Sequence, residues 1–288
     1  MPELPEVETI ARSLRNPAGL PFDNSGSLQT RPGIVGRVVS SVELLWSRSL
    51  VTPTIEELGS ALTGKPVTTV GRRGKFLVIA FEDYWMFIHL RMSGDLQVCP
   101  ASTTFGKHDR LRIHLTDGFI LLFSDPRKFG RVWLVRDPGE VLSGLGPEPL
   151  SDDFTPGWLH QELVHRRRQL KPLLLDQHFI AGLGNIYTDE ALHRAKLHPL
   201  TISSSINAAQ ADLLWQAIRS TLQEGIRRNG ASIDWVYRGG DFQNHFSVYG
   251  RQGETCPACG AEIQRILVGQ RGTHFCPTCQ KIRYNKPR

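Results

Sequence analysis

The chain opens Met1-Pro2-Glu3-Leu4-Pro5-Glu6-Val7-Glu8-Thr9-Ile10, and two readings of this stretch lead to different proteins. One is a helix start: Pro5 suits a first turn, Glu6 and Glu8 complement the positive helix end, and Val7, Ile10, Ala11 and Leu14 recur at helical spacing. The other is chemical. Loss of Met1 would expose the secondary amine of Pro2, and an α-amino group titrates at about pH 8, so a useful fraction is uncharged at neutral pH. Addition of a secondary amine to an aldehydic carbon gives an iminium ion that cannot discharge by losing an N-proton and so remains an electron sink. Glu3 supplies a carboxyl group beside it for proton transfer. On this stretch alone the helix reading is sufficient, and the rest of the chain has to decide.

The 288 residues can bury a substantial core, and the length suggests two domains. The sequence contains no long uninterrupted apolar run, and its acidic start lacks the basic and apolar regions of a secretory signal, so a soluble intracellular protein is expected. The formal net charge is +6, which favours a polyanionic partner. Most of it lies in residues 248–288, where Arg251, Arg265, Arg271, Lys281, Arg283, Lys286 and Arg288 face only Glu254 and Glu262.

After the first helix, residues 16–33 are rich in Pro, Gly, Asn and Ser without apolar periodicity and read as a surface loop. Short β-rich runs follow at Val38 to Leu45, Phe76 to Phe81, Met86 to Leu90, Leu111 to Leu115, Phe119 to Phe123 and Val132 to Val135, which predicts a β-sandwich. Residues 1–143 are expected to form this domain with the N-terminal helix, and 144–150 (Gly-Leu-Gly-Pro-Glu-Pro-Leu) a linker. Residues 151–247 turn helical: segments at about 172–178 and 186–196 flank Ala181-Gly-Leu-Gly-Asn185. Leu213, Leu214, Ile218, Leu222 and Ile226 mark a long helix that stops near Asn229-Gly230. Residues 231–255 mix glycines and aromatics and predict a loop.

Residues 248–288 carry Cys256-Pro-Ala-Cys259 and Cys276-Pro-Thr-Cys279. Two such pairs place four thiolates for tetrahedral zinc, and a closed four-cysteine site is structural and not catalytic. Few apolar side chains accompany them, so the metal should supply much of the folding energy of this module. Ile263 to Phe275 alternates as a hairpin would, with Gln270-Arg271-Gly272 near its turn. Arg271 there suits a phosphate contact or is a solvated turn arginine. Cys99, the fifth cysteine, reads as an ordinary thiol.

Taken in order, Pro2-Glu-Leu-Pro-Glu-Val-Glu8, Gly71-Arg-Arg-Gly-Lys75, Asp125-Pro-Arg-Lys-Phe-Gly130, Gly182-Leu-Gly-Asn-Ile-Tyr187 and the terminal cysteine pairs make the chain resemble the formamidopyrimidine-DNA glycosylase family, which shares its architecture with endonuclease VIII. The resemblance spans nearly the whole chain. It implies a multidomain α and β fold: an N-terminal β-sandwich with its helix, a helical helix-two-turn-helix domain, a C-terminal zinc-finger β-hairpin, and a DNA cleft between the halves.

By the same resemblance, Pro2 is the nucleophile and Glu3 the acid. Lys75, His89, Asn185 and Arg271 hold phosphates around the damaged nucleotide, with Lys75 and Arg271 counted in the catalytic set, and His108, Arg127 and Arg166 are further DNA-binding positions. Met92, Arg127 and Phe129 fill the gap left by an extruded base, an apolar wedge and an aromatic replacing lost stacking. Each has an ordinary alternative. Lys75 is a solvated hairpin tip, His89 a satisfied core histidine, Arg166 a solvated helix face, Asn185 a helix cap, and Met92 and Phe129 core residues on strands.

The implied activity is bifunctional: excision of oxidised purines through an N-terminal proline Schiff base, then β,δ-elimination. The implied context is damaged double-stranded DNA as partner, one structural zinc, no small-molecule cofactor, no membrane, a monomer, and a bacterial-type cytoplasmic, nucleoid-associated location. An endonuclease VIII-type enzyme for oxidised pyrimidines and a non-catalytic damaged-DNA-binding homologue stay open. A lesion-capping loop is implied within 231–248. Two features depart from the family pattern: a longer loop at 16–33, and Asn229-Gly230 in place of a glycine pair.

Overall fold

The computed structural model describes residues 1–15, 33–104, 106–232 and 239–282. The loop expected at 16–33 therefore lies almost wholly outside the described residues, as does the middle of the 231–248 loop. The chain forms two compact units, Met1–Ser143 with Asn229–Asp241, and Gly144–Arg228 with Phe242–Arg288.

In the first unit, helix α1 (Leu4–Arg15) leads into two sheets. One has the order β1 (Val39–Leu44), β7 (Asp109–Leu115), β8 (Phe119–Ser124), β6 (Asp95–Pro100). The other runs β2 (Leu50–Thr52), β9 (Arg131–Val135), β5 (Trp85–His89), β4 (Phe76–Ala80), β3 (Thr69–Arg73). Every pairing is antiparallel except β2 with β9. Alternation sets the inward faces: Leu77 and Ile79 of β4, Met86 and Ile88 of β5, Leu111 and Ile113 of β7, and Leu121 and Phe123 of β8 share one buried cluster. Val7, Ile10, Ala11 and Leu14 of α1 join it, with Leu58 and Leu62 of α2 (Ile55–Leu62). The expected sandwich is present. The sequence reading missed α2, although Thr54-Ile-Glu-Glu57 spells a capping box and both of its reciprocal bonds form.

The second unit contains α4 (Pro156–Val164), α5 (Leu170–Leu174), α6 (Asn185–Arg194), α7 (Ala208–Arg227) and the hairpin β10 (Gln264–Val268) with β11 (Arg271–Phe275); the short α3 (Gly139–Leu142) precedes it. The α7 stripe is buried at Leu214, Ile218, Leu222 and Ile226, but Leu213 points outward at 53% exposure. Gly269 and Gln270 both take positive φ, as a two-residue hairpin turn of this hand requires. No described helix is long and apolar enough to cross a membrane.

Candidate nucleic-acid interface and metal centre

The first turn of α1 is fixed from two directions. Glu3 accepts the Val7 N–H and its own N–H donates to Glu6 Oε2 at 2.8 Å, while Glu6 Oε1 accepts the Ala231 N–H at 2.7 Å. Pro2 is buried and Glu3 is 2% exposed. The glutamates read as complementing the positive helix end are themselves buried: Glu6 is 2% and Glu8 9% exposed. Burial opposes ionisation of Glu8, but its bonds to Arg72 and Arg12, and the charges of Arg72 and Arg15, prevail and hold its carboxyl below the usual range.

Gly230 closes this corner. Its φ is +80° and a Cβ there would stand 2.6 Å from Glu6 Oε1, so only glycine lets the carboxylate reach the Ala231 amide. Gly240 N–H then donates to Ser232 Oγ at 2.8 Å.

Lys75 is 5% exposed at the turn between β3 and β4, so it is no solvated hairpin tip. Its charge reaches His89, the last residue of β5. Burial, then the positive charges of Arg91 and Lys75, push His89 down to about 3. Its Nδ1 accepts the Arg91 N–H at 3.0 Å, so the single proton of the neutral ring lies on Nε2, available as a donor.

The strand placement expected for Met92 and Phe129 does not hold. Met92 sits in the turn between β5 and β6, and Phe129, 50% exposed, sits in the loop between β8 and β9. One buried carboxylate organises both. Asp125, 1% exposed, accepts from Ser93 Oγ, from Arg127 N at 3.2 Å and from Gly130 N at 2.7 Å, and its own N–H donates to the His108 carbonyl. The exposed Arg127 guanidinium lies 5.4 Å from the Phe129 ring centre. His108 is exposed beside the same loop. Asp125 and Ser93 were not singled out in sequence, although aspartate opening a turn is a readable signal.

In the second unit, Gln177 bonds the Leu175 and Leu183 carbonyls and the Gly182 N–H, which fixes the turns between α5 and α6. The cap of α6 is Gly184, not Asn185. Asn185 instead donates from Nδ2 to the Gly272 carbonyl at 3.1 Å, and its buried Oδ1 has no hydrogen-bond partner among the described residues. Asn185 thus bonds the residue that follows the exposed Arg271 in the hairpin. Arg166 pairs with Glu162 on α4 and lies over the Phe179 ring. Glu190, 4% exposed, accepts the N–H groups of Ser247, Val248 and Tyr249, and burial pushes its carboxyl up against those bonds.

The four sulfur atoms of Cys256, Cys259, Cys276 and Cys279 lie within 4.8 Å of one another, and Cys256 and Cys279 are 3.9 Å apart. A tetrahedron with metal–sulfur bonds of about 2.3 Å has edges of about 3.8 Å, so the donor set fits one structural zinc.

Three family models match the chain: the formamidopyrimidine-DNA glycosylase N-terminal domain over residues 26–132, the H2TH domain of the same enzymes over 145–236, and the zinc finger found in FPG and IleRS over 253–282. The formamidopyrimidine-DNA glycosylase of Chloroflexus aurantiacus is 44% identical, covering 97% of this chain and 98% of the relative. That of Pelotomaculum thermopropionicum is 41% identical over 98% and 100%. Among solved structures, Lactococcus lactis Fpg bound to DNA containing N7-benzyl-Fapy-dG superposes with a TM-score of 0.86 at 37% identity, over 97% of this chain and all of that one. The same enzyme with abasic-site DNA gives 0.85 at 37% identity, over 97% and 99%.

Proposed function

Since the chain belongs to the formamidopyrimidine-DNA glycosylase family, we propose that it is a DNA glycosylase of base excision repair for oxidised purines that also cleaves the abasic strand through a Schiff base on Pro2. The observation that carries the reading is the first turn of α1, where Glu6 bonds both the Glu3 and Ala231 amides. The same turn buries Pro2 and Glu3 side by side at the chain start, which brings the amine and carboxyl the reaction needs into one place.

The proposed sequence begins with extrusion of the damaged base from duplex DNA. Phe129 and Met92 replace its stacking, Arg127 bonds the orphaned partner base, and Lys75, His89, Asn185 and Arg271 hold the flanking phosphates, with His108 and Arg166 further along the backbone. Flipping costs a few kcal/mol, and less at a weakened pair. The Pro2 nitrogen forms a bond to C1′ as the glycosidic bond breaks, and Glu3 gives a proton to the ring oxygen as the sugar opens. Loss of a C2′ proton expels the 3′-phosphate, and loss of a C4′ proton expels the 5′-phosphate. Water then hydrolyses the iminium and releases the remaining five-carbon unsaturated keto-aldehyde from Pro2. The amine must be free, so Met1 has to be removed first; with Met1 attached the nitrogen is an amide without a nucleophilic lone pair. The zinc supplies folding energy to the Arg271 hairpin and takes no part in the reaction. The protein is proposed to act as a cytoplasmic monomer on damaged duplex DNA.

Borohydride trapping on an 8-oxoguanine:C duplex tests this reading. A covalent adduct with the Met1-processed chain is expected, and tight binding without any adduct sinks the lyase. A thymine glycol duplex in parallel separates the purine branch from the pyrimidine branch.

A further inference from the structure

Helix α6 presents a side chain to the metal cluster that the four-cysteine motif does not include. His193, 7% exposed, places Nε2 3.4 Å from the Sγ of Cys256, itself 2% exposed, across 63 residues of sequence. Asp189 lies four residues earlier on the same helix and accepts the His274 N–H of the hairpin at 2.9 Å. The i, i+4 spacing puts both side chains on one helix face, so α6 meets the zinc module at the hairpin through Asp189 and at a ligand through His193.

We propose that His193 donates a hydrogen bond from Nε2–H to the zinc-bound Cys256 thiolate and that this outer-sphere bond retains the metal. A zinc ion with four thiolates keeps a net negative charge concentrated on sulfur, and sulfur that accepts an N–H is less open to protonation or to attack by electrophiles. Cys276 has a donor from the chain itself, the Cys279 N–H at 3.4 Å, as a metal knuckle provides. Cys256 receives its donor from the helical body instead. The ring also has a position to defend. With Arg194, Lys196, Ser247, Pro257 and Cys279, it lines a cavity of about 300 Å3 beside the cluster. The imidazole and the Cys279 ligand thus line the same cavity, while Cys256 does not.

The inference rests on zinc in the four-cysteine site and is independent of the reaction on DNA. Its test is metal release from the zinc-loaded full chain to a chromogenic chelator, compared among wild type, His193→Phe and His193→Gln. Removal of an outer-sphere partner weakens metal retention by about tenfold or more. His193→Phe is expected to release zinc faster by that factor, and His193→Gln, which keeps an N–H donor, to fall between. A second measurement needs no variant: in cadmium-113-substituted wild type, the His193 ring proton is expected on Nε2, with a through-bond coupling to the metal. Release from His193→Phe within twofold of wild type, or a ring proton on Nδ1 in the metal-loaded protein, overturns the proposal.

Discussion

The Lys171 ammonium lies 2.6 Å from Asp189 Oδ1, and neither side chain has any exposed surface. The same ammonium donates to the Gly272 carbonyl at 3.1 Å, and Asp189 Oδ2 accepts the His274 N–H. The β11 backbone on both sides of Thr273, just past Arg271, therefore bonds to one ion pair supplied by α5 and α6. Removing one partner of a buried pair leaves an uncompensated charge and costs about 3–5 kcal/mol. Asp189→Ala or Lys171→Ala is expected to destabilise the second unit by that order in urea unfolding. The double replacement should cost less than the two single changes together, because it removes the stranded charge.

His89 carries a pH signature of opposite sense to a salt-bridged histidine. Its ring is held neutral down to about 3, by burial first and then by Arg91 and Lys75, whereas the unfolded chain takes up the proton at about 6.5. Above about pH 6.5 both states are neutral and His89 adds no pH dependence. Below it the unfolded state binds the extra proton, so stability falls with decreasing pH by up to about 1.4 kcal/mol per unit until the folded ring titrates. The stability of His89→Gln, measured by urea midpoints between pH 7 and 4.5, should fall less steeply than that of wild type. An equal slope would place the wild-type ring in water. DNA affinity should show no His89 titration between pH 5.5 and 8, because the neutral ring donates from Nε2–H throughout.

Asp125 holds two turns with one carboxylate. Asp125→Asn keeps the shape but sets an NH2 group against N–H or O–H donors, from Ser93 and Arg127 on one side or from Gly130 on the other. Hydrogen bonds to a charged group are worth about 1.5–3 kcal/mol each, so the first unit should lose about 2–3 kcal/mol by chemical denaturation. Duplex affinity should fall more for intact lesion pairs than for abasic DNA, since the turns that carry Met92, Arg127 and Phe129 are proposed to act where a base has to be displaced. Gel-shift titrations on the two duplexes measure the difference.

What was legible in the sequence follows the range of the interaction that carries each element. Six strands declare themselves by local periodicity with ends within two residues of the expectation, and the long helix does so by its apolar stripe, although it begins at Ala208, well before Leu213. The cysteine pairs are legible because tetrahedral chemistry fixes their spacing. For Phe129 and Met92 the ordinary alternative is a core position on a strand, and both sit on turns instead. What lifts them onto turns is Asp125, whose partners Ser93 and Gly130 lie at separations of 32 and 5 residues. Glu6 fits a solvated helix end until Ala231, 225 residues away, closes on it. His193 carries no motif, and only the packing of α6 against the zinc module brings it to Cys256.

The corner formed by Gly230 and Glu6 makes its own prediction. Alanine at position 230 would keep a positive φ, which is strained for any residue with a Cβ, and would place that Cβ 2.6 Å from Glu6 Oε1. The strain alone is of order 1–3 kcal/mol. Relief by moving Glu6 would release both the Glu3 and Ala231 amides. Gly230→Ala should therefore lower the stability of the first unit by about that amount and reduce the rate of borohydride trapping more than it reduces DNA affinity. Equal losses of rate and affinity would mean that the corner serves folding alone.

Zinc removal separates the two units. The metal cluster belongs to the second unit, while the sandwich core of α1, α2 and the two sheets is assembled without it. Structural zinc supplies about 10–16 kcal/mol of binding free energy in isolated finger peptides, which is folding free energy for such modules. Chelation, or Cys256→Ser, is expected to unfold the β10–β11 hairpin and with it the placement of Arg271, so damaged-duplex affinity should drop by at least tenfold. Amide exchange in β4, β5, β7 and β8 should stay protected. If affinity survives chelation, Arg271 is dispensable for binding; if the strand amides lose protection together with the hairpin, the zinc module stabilises far more of the chain than the unit that contains it.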